Sequence, residues 1–221
     1  MEMNRLRTGV AGLTGVVCCV LLAVLGPDMP DQAAKTLLKF LLLGLAPVLA
    51  LLWQGGSLRL GCPRQGRRKR RLLAALAYLI FTGLALTAAR FVDLTPINQA
   101  LAQDGALSIG LFLTAGLLIA LPGAFLEEFF FRGFCFQLLA ADGVPPVTAA
   151  LFSAGLFSLY HGVMMKGWFP PWQTFVAFWV LFVVGLLFCL ACRRMGLCAA
   201  WLCHMAANLA LLTAGLIWFY L

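Results

Sequence analysis

The sequence predicts an all-α protein, a polytopic membrane bundle of about seven transmembrane helices, and three observations predict it. Hydrophobic residues make up 63% of the 221-residue chain and charged residues only 11%, whereas a soluble domain carries roughly 25% charged residues. The mean hydropathy is +0.98. The apolar residues are also gathered into runs near 9–26, 34–53, 72–89, 107–126, 146–163, 173–191 and 196–220. Each is close to the length needed to cross a hydrocarbon core of about 30 Å, about 20 residues of helix.

The first run has the charged start and apolar middle of a signal peptide. Pro27 directly after Gly26 is a poor residue beyond a cleavage point, and more spans follow, so the run reads as an uncleaved anchor. Between the second and third runs lies a hydrophilic stretch, 54–71, in which Gly55, Gly56, Gly61, Pro63 and Gly66 are interspersed with basic residues. It reads as a cytoplasmic loop. Asp93 to Asp104, polar and containing Pro96, reads as the crossing to the other face. Pro122 and Gly123 interrupt the fourth run, so the helix is expected to kink or restart there and to free backbone groups for a site. Glu127 and Glu128 would then sit near a helix N-terminus, where the helix dipole stabilises carboxylates by several tenths of a kcal/mol. No internal repeat or low-complexity tract divides the chain. Residues 1–105 form an N-terminal transmembrane region, with its basic loop at 54–71, and 106–221 form the segment that carries the chemistry.

The net charge of +8 is explained by topology and does not call for nucleic acid. An N-terminus in the cytoplasm places Arg5, Arg7, Arg59, Arg64, Arg67, Arg68, Lys69, Arg70, Arg71, Arg132, Arg193 and Arg194 on the cytoplasmic side, leaving Lys35, Lys39, Arg90 and Lys166. The Arg67–Arg71 run would also suit anionic lipid head groups, at about 1 kcal/mol per residue. The expected location is the bacterial inner membrane, with the acidic pair toward the cytoplasmic leaflet. Seven of the eight cysteines, Cys18, Cys19, Cys135, Cys189, Cys192, Cys198 and Cys203, lie in or beside apolar segments, which does not suit a disulfide framework. Cys189 and Cys192 form a lone CxxC, read as small apolar packing residues more than as metal ligands.

Ionisable side chains inside apolar segments are the informative residues, because each costs about 2.5–3.5 kcal/mol at the bilayer centre. Glu127, Glu128 and Arg132 lie among Phe125, Leu126, Phe129, Phe130 and Phe131. Glu128 and Arg132 are four apart and share a helix face, so they can pair. Glu127 points about 100° away and has Phe131, not a cation, at its own i+4 position. The same three charges would also fit a helix end at the interface, with Arg132 reaching lipid head groups. The chain's two histidines weigh against that, since both His161 and His204 fall in apolar stretches downstream. Phe157 lies one turn before His161, and Gly162 follows it. His204 and Asn208, four apart with small residues between them, share one face of the last helix. An asparagine at that depth needs a partner or a water.

Glu, His, His and Asn supply what amide hydrolysis requires, a base for water and donors for the oxyanion of a tetrahedral intermediate. Ser153 and Ser158 lack a GxSxG turn, and no HExxH helix is present. A glutamate-activated water is the economical chemistry.

Three ordered motifs, Glu127-Glu128-Phe129-Phe130-Phe131-Arg132, Phe157-Ser158-Leu159-Tyr160-His161 and His204-Met205-Ala206-Ala207-Asn208, match EExxxR, FxxxH and HxxxN. In them the chain resembles the CPBP (CAAX protease and bacteriocin-processing) intramembrane endopeptidases, over roughly residue 106 to the end. The resemblance implies that Glu127 with His161 activates the water, that His204 and Asn208 stabilise the oxyanion, and that Glu128 and Arg132, with Phe157, hold the site's shape. It implies a membrane-associated protein or peptide substrate and no cofactor. A zinc-dependent protease remains an alternative, since Glu127, His161 and His204 would make an open His₂Glu site. So does a non-catalytic immunity or scaffold protein of the same fold. A proton-relay transporter has no paired repeats to support it.

Overall fold

The computed structural model describes residues 2–26, 32–54, 66–88, 90, 91, 93, 95 and 109–220. These residues are almost entirely helical, with no strand among them. They form seven continuous helical stretches. The first is α1 (Glu2–Leu25). The second is α2 (Gln32–Lys39), which runs through a π-helical segment π1 (Phe40–Leu45) into α3 (Ala46–Gln54). After α4 (Arg67–Ala88), α5 (Ile109–Glu128) runs through a second π segment, π2 (Phe129–Leu138), into α6 (Leu139–Ala141). α7 (Pro146–Met164), α8 (Pro171–Met195) and α9 (Leu197–Tyr220) complete the chain.

Six of these stretches contain segments long and apolar enough to cross a membrane: Leu6–Leu25, Ala34–Gln54, Arg67–Ala88, Pro146–Met164, Pro171–Met195 and Leu197–Ile217. The run expected at 107–126 is α5. On α8, exposed Trp172, Phe175, Trp179, Val183, Leu187 and Leu190 repeat every three or four residues, while Gly185, Phe188, Cys189 and Cys192 turn inward. A helix with an apolar exposed stripe and a packed inner face suits lipid on one side and protein on the other.

Two expectations about helix boundaries are corrected. Arg67–Arg71 do not belong to a loop but form the first turns of α4, consistent with the good helix propensity of Arg and Lys. The remainder of the expected loop, 55–65, lies outside the described residues, as does most of Asp93–Asp104. Nor does the helix stop or restart at Pro122, since the chain stays helical from Ile109 to Ala141. Proline removes one helical hydrogen bond, a loss that membrane helices tolerate where neighbouring groups take up the freed backbone.

The chain divides into two compact units that interleave its N- and C-terminal parts. The first comprises Met1–Cys62 and Leu126–Ala200. Within it α7 and α8 form an antiparallel hairpin, tied by Ser158 Oγ donating to the Phe178 carbonyl at 2.5 Å. Ser153 Oγ donates to the Phe131 carbonyl at 2.6 Å, fastening π2 to α7. Both hydroxyls are therefore engaged with backbone. α1 packs on π2 and α7, burying Ala11, Cys18, Cys19 and Leu22. Arg7 acts electrostatically on Asp142 at one end of this unit, opposing the burial that raises the Asp142 carboxyl pKa. At the other end a Cβ on Gly26 would lie 3.9 Å from Met164 Sδ. Gly196, at φ 86°, takes the left-handed conformation that lets the chain turn between α8 and α9.

The second unit comprises Pro63–Phe125 and Trp201–Leu221. In it Tyr78 OH and Thr213 Oγ1 are 2.9 Å apart, linking α4 to α9. Trp201 Nε1 donates to the Leu121 carbonyl at 3.4 Å and the indole meets Phe125 edge-on, with centroids 5.7 Å apart.

Among the described residues, Cys18, Cys19, Cys135, Cys189, Cys192 and Cys203 are free thiols, all buried, and Cys198 is disulfide-bonded. Cys189 contacts Ser153 Oγ at 3.7 Å and Cys192 accepts from Gln137 Nε2 at 3.0 Å, so the CxxC pair is built into packing.

Candidate active site

Glu128 and Arg132 pair as their spacing predicts. Arg132 Nη1 donates to Glu128 Oε1 at 2.8 Å, and both side chains are fully buried. The pair survives the change from α to π winding at Phe129 because a turn closing at i+5 keeps residues four apart on nearly the same face. Arg132 is enclosed further by the rings of Phe157 (4.3 Å to the centroid), Phe188 (5.2 Å) and Phe131 (5.8 Å). Its Nη2 donates to the Gly185 carbonyl at 3.3 Å. Gly185 gives α8 room to approach, since a Cβ there would stand 3.1 Å from Ala154 Cα and 3.4 Å from Arg132 Nη2. An arginine so enclosed does not reach lipid head groups, and the interface alternative falls. Removing one partner of such a pair would strand a buried charge, at a cost of about 3–5 kcal/mol.

Glu127 faces a different set of groups. Its Oε2 lies 3.5 Å from His161 Nε2, and Tyr160 OH donates to its Oε1 at 3.3 Å. His161 Nδ1 lies 2.9 Å from the Phe157 carbonyl. A carbonyl oxygen only accepts, so this contact assigns the Nδ1 position a proton and leaves Nε2, facing the carboxylate, as the nitrogen that exchanges one. Phe157 packs against the imidazole at 4.2 Å, as its place one turn earlier predicts. The same ring covers Arg132, so it holds the ion pair and the histidine together.

Two residues near Glu127 were not expected. Lys39 Nζ lies 3.4 Å from Oε1 and 5.6 Å from the centroid of the Tyr160 ring. The cation missing at i+4 thus comes from α2, 88 residues earlier. A signal did exist, a lysine within the apolar run 34–53, where a charge is costly without a partner. Tyr160 occupies a variable position of FxxxH and nothing in the sequence marked it.

One expectation about the acidic pair's placement is corrected. It does not lie at a helix N-terminus, because Glu127 and Glu128 close α5 and the backbone continues helical into π2, so the N-terminal dipole argument does not apply. His161 is three residues from the end of α7 at Met164, while 14 helical residues follow Glu127 to Ala141.

His204 and Asn208 belong to α9 in the second unit, where His204 is buried and Asn208 half-buried. Their four-residue spacing puts them on one face, with Ala206 and Ala207 between. Glu127, Glu128, Arg132, Phe157 and His161 come together within the first unit. The Lys39 ammonium on the Glu127 carboxylate suits a dication poorly, since like charges would face one another.

No curated protein and no solved structure matches the chain. Residues 109–210, which carry all three motifs but not the N-terminal helices, match a family model described as type II CAAX prenyl endopeptidase Rce1-like, in keeping with the family that the motifs resemble.

Proposed function

We propose that the protein is an intramembrane endopeptidase in which Glu127 and His161 activate a water to cleave a peptide bond of a membrane-associated substrate. The observation that carries this reading is the 3.5 Å approach of Glu127 Oε2 to His161 Nε2, set beside an imidazole whose Nδ1 is held by backbone. A carboxylate and an oriented imidazole at that separation can share the proton of one water. The water gives a proton to Glu127, its oxygen adds to the scissile carbonyl carbon, and the carbonyl electrons become the oxyanion. Collapse of that intermediate breaks the C–N bond, and the proton passes to the departing amine. His204 and Asn208 are the proposed oxyanion donors, as HxxxN implies, and Glu128 and Arg132 with Phe157 fix the shape around the base.

The substrate class proposed from the family match is the C-terminal tail of a prenylated CAAX protein or a similar membrane-anchored peptide. The test uses purified protein in proteoliposomes and an internally quenched farnesylated CAAX peptide. Wild type is expected to cleave it and Glu127→Gln to show no cleavage above the protein-free rate. Equal cleavage by the two would remove Glu127 from the chemistry. Retention of biological function by Glu127→Gln and His204→Ala in the host would favour a non-catalytic partner instead.

A further inference from the structure

The N-terminal helices lie outside the family match at 109–210, yet one of their side chains reaches the proposed base. Lys39 is the last residue of α2, flanked by Leu37, Leu38 and Phe40 within a candidate span. A lysine in such surroundings is expensive to insert and calls for compensation. It is held by the Glu127 carboxylate at 3.4 Å and by the face of Tyr160 at 5.6 Å. The backbone brings it there, because π1 begins at the next residue and comes close to Leu126, where a Cβ on Gly44 would stand 3.3 Å from Leu126 Cδ2. Oε1 therefore receives donors from two helices, Lys39 of α2 and Tyr160 of α7, while Oε2 faces His161.

We propose that Lys39 is a positioning residue of the catalytic centre, an ammonium that anchors Oε1 of Glu127 and so turns Oε2 toward His161 and the reacting water. This rests on the hydrolase reading above. With one oxygen anchored by an opposite charge, the other oxygen of Glu127 is fixed where a proton must be taken. A base displaced by about 1 Å loses about 100-fold in rate. The N-terminal region thus completes the centre, beyond anchoring the chain.

The test compares Lys39→Met and Lys39→Arg with wild type on the farnesylated peptide, with rates normalised to folded protein by gel filtration and thermal unfolding. Lys39→Met is expected to lower kcat about 100-fold with KM within about twofold, and Lys39→Arg to recover most of the rate. A second measurement needs no substrate. The melting temperature lost by Lys39→Met with Glu127→Gln together should be smaller than the sum of the single losses, because each single variant strands a charge or its partner. Wild-type kcat in Lys39→Met, a loss matching only the fall in folded protein, or additive melting losses would each overturn the proposal. Equal cleavage by wild type and Glu127→Gln would instead sink the hydrolase reading. That outcome is told apart from failure of the Lys39 proposal, in which Glu127→Gln is inactive and Lys39→Met is not.

Discussion

Glu127 and Glu128 are neighbours in sequence and opposites in surroundings. Glu128 and its partner Arg132 have no exposed side-chain surface, and three aromatic rings and a backbone carbonyl close off the guanidinium. Glu127 is itself mostly buried, but its partners His161 and Lys39 each keep 24% of their side-chain surface exposed. A sealed ion pair holds shape and has no access to solvent. A carboxylate next to partly open partners can exchange a proton with water or substrate. The difference of one residue, about 100° around the helix, divides a structural acid from the proposed chemical one.

That contrast can be broken or sharpened by substitution. The largest effect is expected for Glu127→Gln, complete loss of peptide cleavage with a folded, monodisperse protein; a poorly folded variant would erase the distinction from Glu128. Glu128→Gln is expected to destabilise the fold by about 3–5 kcal/mol through the stranded Arg132 charge, read as a lower melting temperature in detergent. Full stability there would show that Arg132 finds another partner. Asn208→Ala is expected to lower kcat about 100- to 1000-fold if it is an oxyanion donor, with little change in melting, and an unchanged rate would remove it from the mechanism. Gly185→Ala should cost about 1–3 kcal/mol by forcing α8 from Ala154 and Arg132, again seen in melting, while leaving kcat per folded molecule near wild type. Smallest of all is the effect of chelation, where the rate with and without a strong chelator should agree. A loss restored by added zinc would replace the glutamate-water mechanism with the metal one.

Much of this arrangement was legible because helical spacing is local. Glu128 and Arg132 at i,i+4 and Phe157 one turn before His161 needed only the period of a helix to be read correctly, and the apolar runs identified the spans. What was hidden depends on tertiary placement or on winding. Lys39 meets Glu127 across 88 residues, a distance over which no periodicity speaks. The continuation of the helix past Pro122 depends on neighbours that accommodate a proline in an apolar medium, which the dipeptide Pro122-Gly123 does not reveal. The π winding at Phe40–Leu45 and Phe129–Leu138 was invisible because neither segment carries a spacing that distinguishes closing a turn at i+4 from closing it at i+5.

The second of those π segments has a consequence for how the sequence can vary in length. Ten residues wound with wider turns hold more chain per turn than an α-helix would, so the segment stores surplus backbone next to the acidic pair. Deleting a single residue between Phe129 and Leu138 would draw on that surplus as the stretch rewinds toward ordinary α-helix, so side chains beyond it can keep their faces. The same deletion within α7 would instead swing every later side chain of that helix by roughly 100°, the equivalent of several simultaneous core substitutions.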